Sequence, residues 1–189
     1  LQGVILLSYD NFTPQVRTPW GGDYIVSKFK KDLLGSTKSQ LVGESWEFSY
    51  HDPLPSYLLN TDIKFKDLAL TCPDHLFGED FYEKEKIKAH EELLVKVIDS
   101  SEPLSVQIHP YDHYSGLTSG QCGKPESWLI LRTMPGCGIY LGLKEKLSKD
   151  EFAKAFQNKD HLSSLFYFHE VQAGDYFDLP PCTLHAIGG

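Results

Sequence analysis

Three short runs of the sequence combine β-forming residues with side chains that bind metals or move protons. In SVQIHP (105–110), Gln107 and His109 stand two residues apart. In an extended strand such residues share a face, while Val106 and Ile108 take the other. Lys124 and Glu126 repeat that spacing in GKPESW (123–128). The third run, GDYFDLPPCTLHAIGG (174–189), passes from a turn through a strand and a proline-rich corner to His185. Two imidazoles, a carboxylate and an amide oxygen from separate strands make a donor set for a divalent cation. Imidazole nitrogen and carboxylate oxygen both suit Zn²⁺, and an amide oxygen is a weaker companion. Distance along the chain is no obstacle, because neighbouring strands bring remote residues together.

The same residues also have plainer uses. Gln107 and His109 would serve equally as the wet face of an edge strand. Glu126 and Lys124 would form a simple ion pair of little energetic worth. Taken singly, His109 or His185 would be an ordinary hydrogen-bonded strand residue, and Asp175 after Gly174 reads as a turn former. The remaining histidines, at 51, 75, 90, 113, 161 and 169, show no comparable pattern. Composition and spacing leave the metal and the plain readings side by side.

The elements that must position these residues are mostly strands. From Leu93 onward the runs LLVKVID, LSVQIHP, SWLILRT, GIYLGL, YFHEVQ and DYFDLPP alternate with Pro, Gly or polar turns. That spacing predicts a sandwich or barrel rather than βαβ units. One helix interrupts them near 148–157. Ser148 and Glu151 form an S-x-x-E capping box, and Phe152, Ala155 and Phe156 recur at helical spacing, giving an apolar side to dock on a sheet. The first third is turn-rich and aromatic, with TPWGGDY (18–24), GESWEFSY (43–50) and HDPLPS (51–56). KFKDLAL (64–70) predicts a short helix closing near Cys72–Pro73, and EKEKIKAHEE (83–92) a charged, solvated face. The expected organisation is an irregular N-terminal part, residues 1–90, packed on a β core formed by residues 91–189.

Composition narrows the partners. With 189 residues, 41% hydrophobic and 23% charged, the chain is sized for one well-buried domain. A formal charge of −8 argues against nucleic acid or an anionic membrane as partner, while leaving room for a small anionic substrate in a locally cationic pocket. No run approaches the ~20 apolar residues that span a bilayer. GVILL near the start is too short for a signal core and lacks a basic flank. Cys72, Cys122, Cys137 and Cys182 form no C-x-x-C pair, which favours reduced thiols in a cytoplasmic protein.

LSVQIHP, GKPESWLIL and GDYFDLPPCTLHAIG, in that order and at those spacings, resemble the type I mannose-6-phosphate isomerases of the cupin superfamily, in particular their short bacterial branch. LLVKVID, Trp20-Gly21-Gly22 and GESWEFS (43–49) fit the same family, so the likeness runs over most of the chain. It implies a mainly β fold, a jelly-roll-like cupin barrel with a few short helices. It further implies one Zn²⁺ per chain, held by Gln107, His109, Glu126 and His185. Ser105 and Lys124 fall on active-site positions of the family. The implied reaction interconverts mannose 6-phosphate and fructose 6-phosphate through a cis-enediol, with a small sugar phosphate as partner and nothing that demands an oligomer.

Two departures from the family pattern stand out: Pro125 where Thr is usual, and Cys182 where Gly is usual. The family also carries a catalytic arginine downstream of its H-A-I-G segment and then a second, smaller barrel. The sequence is therefore expected to be part of a longer chain. A non-catalytic cupin that holds a metal and binds sugars or sugar phosphates is the alternative. A cupin oxygenase using Fe²⁺ fits less well, because its usual motif sets two histidines close together with a Glu a few residues on.

Overall fold

The computed structural model describes residues 3–35, 40–77, 93–118, 121–157 and 159–188. The charged run 83–92 lies outside the described residues. The chain divides into two compact units, Leu1–Ser101 and Glu102–Gly189.

In the first unit, strands β1 (Glu44–Ser49) and β2 (Leu94–Ile98) pair antiparallel, with Trp46 opposite Lys96 and a register shift between Trp46 and Phe48. Strand β2 pairs with β1 and so belongs to the first unit, which runs to Ser101. A π-helical turn, Ile25–Phe29, leads into the short helix α1 (Lys31–Leu34). Ile25, Val26 and Val42 form the core there, with Phe12, Leu34 and Val97 packed around them. Gly21 lies so close to the Gly43 backbone that a Cβ would meet it at 2.3 Å, so only glycine fits at that crossing.

Lys30, only 3% exposed, is the buried cation of this unit. Its ammonium donates to the Tyr9 carbonyl at 2.7 Å, to Ser45 Oγ at 2.8 Å and to Glu47 Oε2 at 2.9 Å. Three donors thus meet three acceptors, which is what makes a buried lysine tolerable. The helix expected at KFKDLAL is α2 (Phe65–Thr71). Cys72 closes it, and Pro73 opens α3 (Pro73–Phe77), where a proline's missing N–H costs nothing.

The second unit is built from short antiparallel strands. Strand β3 (Glu126–Leu129) pairs with β6 (Tyr176–Leu179), and β4 (Gly138–Leu143) lies between β5 (Phe166–Glu170) and β7 (His185–Ile187). The segment 104–109 extends this second sheet as an edge. Its bonds are Leu104 N–H to Ile187 O, the reciprocal pair between Gln107 and His185, and Cys182 N–H to His109 O. It forms an isolated bridge rather than a regular strand, and Ile108 is 53% exposed, so the expected apolar side of that run is only partly covered. Ile139, Phe166, Leu179 and Ala186 are the buried apolar residues among those described in this unit.

The expected helix is α4 (Lys149–Gln157). Its capping box is formed: Ser148 N–H donates to Glu151 Oε2 at 2.8 Å, and Glu151 N–H donates to Ser148 Oγ at 3.3 Å. Its apolar side does not dock as expected, since no residue of α4 is buried and Phe156 is 52% exposed. The cap and the Phe152–Phe156 ring pair, at 6.2 Å, hold the helix locally instead. Among the described residues no helix is long and apolar enough to cross a membrane.

Candidate metal centre

Three elements of the second unit converge on one point. Strand β3 alternates, so Glu126 and Trp128 share the face opposite to that of Ser127 and Leu129. His185 opens β7, which is hydrogen-bonded to β4 on one side and to Gln107 on the other. This double pairing leaves His185 4% exposed. His109 follows Gln107 by two residues, and its carbonyl accepts the Cys182 N–H at 2.6 Å. Lys124 reaches the same place from the turn before β3, which is tied down by its own N–H to Pro110 O at 3.0 Å.

His109, Glu126 and His185 each present one ligand atom, and these three atoms lie within 4.8 Å of one another. Oε2 of Glu126 is 3.4 Å from Nε2 of His109 and 3.2 Å from Nε2 of His185. Its other oxygen, Oε1, accepts from Lys124 Nζ at 2.6 Å, and that ammonium stands 3.4 Å from His109 Nε2. The carboxylate therefore divides its oxygens, one towards lysine and one towards the two imidazoles.

The tautomer of His185 decides what this cluster is suited to. Nδ1 lies 2.8 Å from the Thr183 carbonyl, which can only accept, so the neutral ring carries its proton there. Nε2 is then a bare lone pair. It is buried, and although Glu126 is near, it has no aligned hydrogen bond. A lone pair facing a carboxylate oxygen out of solvent is costly unless a cation stands between them. Nitrogen, nitrogen and oxygen donors with a carbonyl fixing one imidazole from behind are the pattern of a zinc site. The residues fit the metal.

Positive charge is what the Glu126 carboxylate calls for. Partial burial by itself would raise its pKa, but hydrogen bonds from His185 and Lys124, with the charges of Lys124 and His109, outweigh that and bring it to about 2. The His185 contribution requires a proton on Nε2, the place a metal cation would otherwise take. The group is a carboxylate at any working pH.

Gln107 is placed beside His185 by its backbone, with 2.8 and 2.9 Å bonds in the two directions, and its residue is exposed. Ser105 is exposed on the same segment. Two partners were absent from the sequence reading: the Thr183 carbonyl, and Trp128, whose ring centroid lies 5.3 Å from that of His185 at 87°. The i, i+2 spacing of Glu126 and Trp128 was the available signal for the indole. Nothing in sequence signals a backbone carbonyl.

Comparison with known proteins bears on the same residues. The family model for the catalytic domain of type I phosphomannose isomerase matches residues 13–124. The chain belongs to that family. Mannose-6-phosphate isomerase of Streptococcus mutans is 34% identical over 173 residues, covering 89% of this chain and 50% of the relative. The crystal structure of mannose 6-phosphate isomerase from Bacillus subtilis superposes with a TM-score of 0.75 at 27% identity, covering 99% of this chain and 55% of that one. A mannose 6-phosphate isomerase bound with zinc and yttrium, at 14% identity and a TM-score of 0.62, shares the fold. The mainly β fold is thus the cupin fold expected from sequence. The chain spans about half the length of the curated relatives it matches.

Proposed function

We propose that the protein acts as a zinc-dependent mannose-6-phosphate isomerase, with one Zn²⁺ held by Gln107, His109, Glu126 and His185. The observation that carries this reading is the bare, buried Nε2 of His185 aimed at Oε2 of Glu126, with Nε2 of His109 on the same oxygen. Family membership supplies the reaction to which such a site belongs. Gln107 joins the ligands on weaker ground: its backbone is bonded to that of His185, two residues before His109.

In the reaction a base takes the C2 proton of the aldose, a cis-enediol forms, and the proton returns at C1 to give the ketose. Bound zinc supplies a Lewis acid that lowers the energy of negative charge on the sugar oxygens. Lys124 has two tasks in this scheme. It holds Oε1 of Glu126, leaving Oε2 as the single ligating oxygen, and it stabilises charge that develops on the substrate. Its side chain is 44% exposed, which leaves it accessible to a sugar phosphate. Ser105, exposed on the segment that carries Gln107 and His109, contacts a substrate hydroxyl or the phosphate. A cytoplasmic setting, with the four cysteines reduced, completes the reading.

The test is a coupled assay on the full-length protein, following mannose 6-phosphate to fructose 6-phosphate. Activity should vanish with a strong chelator and return with Zn²⁺. Turnover indifferent to chelation, in protein shown to be metal-free, would refute the metal assignment. A full-length metalloprotein that binds sugar phosphates without turning them over would replace the isomerase with a binding module.

A further inference from the structure

We infer that Trp128 is a positioning residue of the metal centre, setting the orientation of His185 and so the affinity for the cation. The inference rests on the zinc reading above and goes beyond its ligand set. The His185 ring has four constraints around it. Nδ1 is tied to the Thr183 carbonyl at 2.8 Å, and Nε2 faces Oε2 of Glu126 at 3.2 Å. The His109 ring lies 5.2 Å away, tilted by 46°, and the Trp128 indole stands 5.3 Å away at 87°.

The first two constraints fix where the nitrogens point only while the ring plane is held. A single hydrogen bond from Nδ1 leaves the imidazole able to rock about that bond. His109 is itself a candidate ligand on the edge segment, so its ring offers a poor wall. Trp128 is different. It sits in regular β3 opposite Phe177 of β6, on the face that also carries Glu126. One strand therefore sets both a ligand and the surface against which the other ligand rests.

An edge-to-face contact is a preferred aromatic geometry and carries specific orientation beyond area. Losing a preferred edge-to-face ring contact typically weakens what it supports by up to about 10-fold. Phenylalanine at 128 keeps a ring edge or face for His185. Leucine fills much of the space and keeps the position apolar, but offers no ring.

The experiment compares Trp128→Phe and Trp128→Leu with the unmodified full-length protein. Zn²⁺ dissociation constants are read by competition with a chelating dye, and coordination by the visible spectrum of the Co²⁺ form. Melting of the metal-free proteins checks that both variants fold. Trp128→Phe should bind Zn²⁺ within about 2-fold of the unmodified protein, and Trp128→Leu about 5–10-fold more weakly, with an altered Co²⁺ spectrum. Leucine binding Zn²⁺ as tightly as tryptophan would overturn the inference, as would phenylalanine weakening it as much as leucine does. Failure of the unmodified protein to bind Zn²⁺ would instead remove the metal reading on which it stands.

Discussion

Glu126 is the residue through which the others communicate, because its two oxygens serve different partners. His109→Ala and His185→Ala should each lower Zn²⁺ affinity by more than about 100-fold, whereas Gln107→Ala, losing a weaker amide donor, should cost about 10-fold. Elemental analysis of the purified variants checks this, and stoichiometric metal in the double histidine variant would contradict it. The acid limb follows from the depressed carboxyl. With a folded pKa of about 2 against an ordinary 4.5, ionised Glu126 contributes stability that is complete above about pH 4.5 and fades as pH falls towards 2. Urea denaturation of metal-free protein at pH 5 and pH 3 should show that loss, reduced in Glu126→Gln. The types and spacings of these residues were legible in the sequence, since strand alternation needs only local pattern. The division of the carboxylate was not. It depends on how Lys124, His109 and His185 meet across strands whose register sequence spacing does not set.

Elements account for what local pattern could and could not foretell. The capping box of α4 was readable because Ser148 and Glu151 act within one turn. Docking of that helix was not readable, because it depends on a surface elsewhere. Among the described residues LSVQIHP pairs with β7 and the corner before it, as an irregular edge, and it carries Pro110 where continued pairing would need an N–H. Cys182 stands in the corner before β7 with φ 68°, where the family pattern has glycine. A left-handed Cβ costs roughly 1–2 kcal/mol, and glycine gives back part of that through its looser unfolded chain. Cys182→Gly should therefore stabilise the protein by about 0.5–1 kcal/mol, read as a shift in the urea midpoint at constant m-value. Lys30→Ala should act in the other direction. It leaves the partly buried Glu47 without its cation and the buried Ser45 hydroxyl and Tyr9 carbonyl without their donor, at a cost of about 2 kcal/mol, measurable in the same experiment.

At the scale of the whole molecule, residues 1–189 cover about half the length of the relatives, yet every candidate ligand lies among them. Residues 1–189 alone should bind Zn²⁺ near one equivalent while turning over mannose 6-phosphate at least about 10²-fold more slowly than a full-length relative. Activity equal to that of the relative would show that the catalytic groups have been wrongly placed. The two sheets of the second unit have no strand in common: Glu126 belongs to one, and His109 and His185 belong to the other or to its edge. An ion joining these side chains would be a cross-link between sheets, closing loops much as a disulfide does but reversibly. Thermal unfolding should then occur at temperatures that climb with free Zn²⁺ concentration. Chelation should first release the segment 104–109, detected as faster amide exchange at Gln107 and His185 before the sheets themselves come apart.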